Sequence, residues 1–146
     1  MDHTGYIYYT SWISLFSSLY GFYRGHTDLP LLQGLTFLTS INYWRKPVYG
    51  CRRNTDIFAV LTTGGYHSIR ALGAENAREF YISLSFSATC YFLTWYYHYR
   101  NNLIISAYLH NCVHIFVFIS SMYLYSGSVQ KIDLLAPFSN TMYLEN

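Results

Sequence analysis

From His3 to Tyr23 the chain carries no Asp, Glu, Lys or Arg, and further uncharged stretches follow at regular intervals. This clustering of charge constrains the fold more than any other feature. A soluble domain of this size needs a charged shell, yet charged residues make up only 11% of the 146 residues, while 52% are hydrophobic and 21% aromatic, including 17 Tyr. Between the charge clusters the chain reads as five apolar segments, at about 6–23, 30–44, 56–72, 80–99 and 103–125, with a polar tail over 126–146. Each approaches the length needed to cross a bilayer as a helix. The predicted fold is therefore all-α: a single polytopic transmembrane helix bundle of about five spans.

The breaks are as informative as the spans. Arg24 to Asp28, with Gly25, makes a short turn, and Pro30 then suits the first turn of a helix. The most polar segment runs from Arg45 to Asp56 and holds Lys46, Pro47, Gly50, Arg52 and Arg53. The third apolar run, Ile57 to Ile69, is short and carries Gly64-Gly65; it can extend through Arg70 if that side chain snorkels to the interface. Trp95, Tyr96, Tyr97 and Tyr99 form an interfacial belt at the end of the fourth span. The tail is mildly amphipathic around Ile132 to Phe138. No basic region precedes the first apolar run, so that run is expected to stay as an anchor rather than be cleaved.

Lys and Arg in short loops set orientation. Arg45, Lys46, Arg52 and Arg53 in the second loop and Arg100 in the fourth lie on one side of a five-span bundle. That side, with the N-terminus, is predicted to be cytoplasmic, facing anionic lipid headgroups. Expected partners are membrane lipids and another membrane chain, as a homo- or hetero-oligomer. The weak net charge of +2 and the lack of a basic aromatic patch exclude a nucleic-acid partner. Cys51, Cys90 and Cys112 have no C-x-x-C spacing and read as reduced thiols rather than a disulfide framework.

Ionisable residues inside spans are costly and therefore candidates for function. His110 and His114 are four apart, so a helix sets them on one face, at a spacing that can hold one metal ion. Counted at about 1.5 Å per residue from Asp56 and Asn102, His67 reaches a depth similar to His114, which makes a three-histidine cluster geometrically possible. Such a cluster would hold zinc. A b-type haem between His67 and either other histidine is a further reading, with Gly64-Gly65 admitting the macrocycle. Against both stands the plainer role of histidines as interhelical hydrogen-bonders. Asp56 has two readings: an N-cap for the third helix, or a carboxylate that with Ser40 faces the same polar vestibule as the histidines. His3, His26 and His98 fall at a terminus, a loop and an interface, and no role is assigned to them.

The order Ser40, Asp56, His110, His114 resembles the pattern of the alkaline ceramidase and progestin/adipoQ receptor superfamily of membrane hydrolases. That pattern sets a Ser and, four residues on, a His at the end of the second span. An Asp follows at the start of the third, and a His-x-x-x-His lies in the last. The resemblance implies zinc on His110 and His114, with Ser40 and Asp56 assisting a zinc-bound water in hydrolysis of a lipid amide. Trp44 stands where the pattern has its remaining His, and five spans replace seven. The run from Ser40 to Asp56 also resembles small multi-span proteins of unknown function from large DNA viruses. The sequence thus points first to a structural or interaction membrane protein without a complete catalytic set, then to a zinc-dependent hydrolase, then to a haem protein.

Overall fold

The computed structural model describes residues 3–130; the amphipathic stretch anticipated around Ile132 lies outside them. Six helical segments follow in order: α1 (His3–Ser11), α2 (Ile13–Tyr23), α3 (Asp28–Trp44), α4 (Cys51–Ala71), α5 (Ala77–Tyr99) and α6 (Leu103–Ser126). Between α1 and α2 the backbone stays helical at Trp12, with bonds to Tyr9 and from Leu15 spaced three residues apart. The two segments therefore form one rod tightened for a turn. No β-strand occurs among the described residues, only an isolated bridge between Ala74 and Val129.

Local chemistry sets the ends. Gly25 and Gly50 adopt positive φ, at 81° and 128°, where a side chain would be strained. Asn101 makes the α5–α6 turn at φ 57°, a conformation asparagine tolerates. The side chain of Asn102 then accepts from the backbone of Ile105 and caps α6. Pro30 sits in the first turn of α3, where its missing N–H has no helical partner to lose. The largest boundary shift from the sequence reading is at the start of α4, while α5 begins at Ala77 rather than at 80. The polar segment before Asp56 is not all loop: α4 begins at Cys51, so Arg52 and Arg53 lie in its first turn. Arginine is a good helix former, and a charge cluster marks an interface rather than an unwound backbone.

The rods are arranged as an arc. α5 and α6 form the most closely packed hairpin, α1–α2 lies between α6 and α3, and α3 pairs with α4. α4 and α5, consecutive in sequence, touch little. Where they approach, the Tyr81 hydroxyl donates to the Ser68 carbonyl at 2.6 Å. The apolar core, made of Leu29, Ala71, Phe80, Leu124 and Tyr125, gathers at the end where the loops after α2, α4 and α6 meet.

Burial is inverted relative to a soluble domain. Among the described residues fifteen buried side chains are polar or charged, including Ser11, Ser14, Ser17, Ser18, Gln33, Ser83, Ser87, Ser106, Ser120 and Ser121, against seven that are apolar. Large apolar residues instead point outward, as with Phe58 and Phe92, both 72% exposed. Many interior and surface hydroxyls are satisfied by their own helix: Ser11 donates to the Ile7 carbonyl, Ser85 to Tyr81, Thr89 to Ser85 and Thr94 to Cys90. Such back-bonding lets Ser and Thr occupy helices that face apolar surroundings. Small interior residues also bring backbones close. At Gly21 an added Cβ would stand 2.8 Å from the Pro30 Cβ and 3.1 Å from the Tyr125 ring.

The all-helical class is thus observed. α6 is the one described helix long and apolar enough by itself to cross a membrane. α3 has 17 residues, about 26 Å of rise, slightly short of a bilayer's apolar core. The hydropathy of α5 is diluted by Ser, Thr and Tyr.

Candidate functional site

Ser40 lies in the last turns of α3 and Asp56 in the second turn of α4, and the α3–α4 pairing turns both inward. The Ser40 hydroxyl donates to Asp56 Oδ1 at 2.6 Å, and Thr39 donates to the same oxygen at 3.1 Å. Asp56 has no ion-pair partner among the described residues, where Arg70–Asp28 is the salt bridge found. Nor is Asp56 the cap of its helix, as one sequence reading had it. Gly50 occupies that position, because α4 starts five residues earlier than Asp56. The two hydroxyls leave the carboxylate hydrogen-bonded and oriented, but among the described residues no imidazole hydrogen-bonds either Ser40 or Asp56.

His110 and His114 do share a face of α6, with ring centroids 5.2 Å apart. Trp44, at the end of α3, lies against His110 with centroids 4.9 Å apart. Nε2 of His114 is buried and has no hydrogen-bond partner among the described residues. An indole, not a third ligand, therefore closes this side of the pair. Thr10 of α1 donates to the Asn111 side chain at 2.8 Å, which fixes the rotation of α6 beside the histidines.

His67 does not join them. Its Nδ1 faces the Thr63 carbonyl at 2.7 Å and its Nε2 faces the Tyr125 hydroxyl at 2.7 Å. A carbonyl only accepts, so Nδ1 carries the proton and Nε2 accepts from Tyr125. Both nitrogens are occupied, leaving none for a metal or an axial bond to haem. The depth estimate that grouped the three histidines fails for the same reason as the cap. Measured from Cys51, His67 lies about 24 Å along its helix, against about 17 Å for His114 from Leu103. Among the described residues no three His, Cys, Asp or Glu side chains are arranged to hold a metal ion.

The structure adds a polar cluster that the sequence reading missed. Arg70, expected to snorkel, is buried, and its Nη1 pairs with Asp28 Oδ2 and also donates to the Tyr66 hydroxyl at 3.1 Å. The Tyr66 hydroxyl donates to the same Asp28 oxygen at 2.5 Å, and Arg70 Nη2 donates to the Gln130 carbonyl at 3.1 Å. Burial raises the Asp28 pKa, but the hydrogen bonds from Tyr66 and the Leu29 backbone, with the Arg70 charge, outweigh it and hold it below 3.8. The signal was present in α4, where Asp56, Thr63, His67 and Arg70 recur at helical spacing and form its buried face. Asp28, 42 residues before Arg70, carries no such local mark.

Comparisons with protein-family models, curated proteins and solved structures returned no match.

Proposed function

We propose that the chain is a five-span integral membrane protein with a structural or interaction role, its helices joined by polar contacts and its apolar faces turned to lipid. The observation that carries this reading is the inverted burial, with serines, Asp56, His67 and Arg70 inside and Phe58, Leu61, Phe92 and Leu103 outside. Without a hydrophobic drive between helices in lipid, close packing of small residues and interhelical hydrogen bonds hold a bundle together. The Ser40–Asp56, Thr36–Thr63 and His67–Tyr125 contacts, at 2.6, 2.7 and 2.7 Å, are of this kind. Irregular backbone is limited to short turns and the described ends, as lipid requires. The end bearing Arg45, Lys46, Arg52, Arg53 and Arg100 is the cytoplasmic one on this reading. Retention in the membrane pellet after alkaline carbonate, with release only by detergent, is the expected result. Release by carbonate alone would contradict the reading.

A second reading is favoured by one contact, that of Trp44 with His110. The alkaline ceramidase pattern has a histidine where Trp44 stands, and the indole occupies the side of His110 where that ligand would approach. On this reading the chain is a non-hydrolytic relative that retains the Ser40–Asp56 bond and the His110–His114 pair without the third ligand. Trp44→His supplies a third imidazole, and we expect that variant to bind zinc far more tightly than wild type, measured as metal content after dialysis. Stoichiometric zinc in wild type, lost on His110→Ala, would instead favour the hydrolase.

A further inference from the structure

We propose that Cys90 of α5 and Cys112 of α6 are a redox pair that closes into a disulfide across the helical hairpin. The register of the hairpin carries the argument. The Ser106 hydroxyl donates to the Thr94 carbonyl at 3.0 Å, Ser87 approaches the Val113 carbonyl at 3.4 Å, and the rings of Phe86 and Phe116 stack at 5.5 Å. These rungs run antiparallel from the Asn101 turn, and Cys90 and Cys112 fall level with one another between the first and the second. Both are half-buried, whereas Cys51 is exposed at the start of α4.

The interface suits a covalent link. Ser83, Ser87 and Ser106 are buried in it, and such small side chains let two helices approach to the short Cα separation that a disulfide demands. Closure joins the two sulfurs while the thiols lose two protons and two electrons. A diazene takes up both and becomes a hydrazine; a fully substituted quinone becomes a quinol in the same way. The link would staple the most extensively packed pair of helices in the fold and remove the chain's two interior thiols from other chemistry. The inference does not depend on the membrane reading, because it uses only the packing of α5 on α6.

The test is oxidation of the folded, detergent-purified protein with tetramethyl diazenedicarboxamide, followed by quenching, unfolding and alkylation of remaining thiols. The expected result is loss of two of the three alkylatable thiols, a monomer lighter by two hydrogens, and a cross-linked peptide joining Cys90 to Cys112. Cys51→Ser should leave that peptide intact, and Cys112→Ser should return Cys90 to the alkylated state. Three alkylatable thiols after treatment, or oxidation confined to dimers joined through Cys51, would overturn the proposal.

Discussion

His67 and Tyr125 are joined by one hydrogen bond in a buried setting, and its direction follows from the Thr63 carbonyl on the other ring nitrogen. Removing the hydroxyl with Tyr125→Phe leaves Nε2 of His67 unpaired, at a cost of about 1–3 kcal/mol. His67→Phe combined with Tyr125→Phe should cost less than the two single changes added, since the second removes a group already orphaned. Thermal unfolding of the four proteins in one detergent measures this. Asp28 gives a pH dependence with a definite sign. Its native pKa is below 3.8, so the ionised form is favoured by folding. That stabilisation is complete above the unfolded value and disappears as pH falls through the native one. The melting temperature of wild type should therefore drop below about pH 4, and Asp28→Asn should be less stable at neutral pH and flatter through that range. Equal slopes in the two proteins would contradict the assignment. At this scale the sequence displayed the residues but not their partners. His67 was visible as a buried ionisable group, whereas Tyr125 and Asp28 are distant in the chain and become partners only through packing.

The helices were legible as apolar stretches between charge clusters, and their ends were not. α4 is the instructive case. Its basic start belongs to the helix and not to the preceding loop, and that one displacement takes Asp56 off the cap and His67 out of the histidine cluster. The inward face of α4 is polar, so apolar content alone undervalued it, while the repeat of Asp56, Thr63, His67 and Arg70 marked it as a helix with a polar interior side. Glycine positions separate the helix faces experimentally. Gly21→Ala introduces a Cβ 2.8 Å from Pro30 and 3.1 Å from Tyr125, and should destabilise by about 1–3 kcal/mol. Gly65→Ala meets nothing within 4 Å and should be neutral or stabilising by up to about 1 kcal/mol through helix propensity. Equal melting shifts for the two variants would mean that α2 does not approach α3 and α6 as described.

For the molecule as a whole, chain order does not give spatial order. α1–α2 packs between α3 and α6, and α4 and α5 are neighbours in sequence but not in most of the bundle. This arrangement brings Trp44 to His110 and holds Ser40 on Asp56, yet it keeps His67 at the far end with Tyr125. Helix rotation and order decide which polar residues meet, and the periodicity of a single chain leaves both open. The residue classes that would line such an interior were nonetheless apparent in the Ser, Thr and Tyr that interrupt every apolar run. In the proposed five-span arrangement the rods cross a bilayer with polar sides inward, and labelling of single cysteines by a membrane-impermeant maleimide reports which side each turn faces. In vesicles of one orientation, with the other cysteines replaced by Ser, Cys51 and Arg100→Cys should react from one side and Thr27→Cys and Leu72→Cys only from the other. Labelling of all four from the same side would contradict a five-span protein.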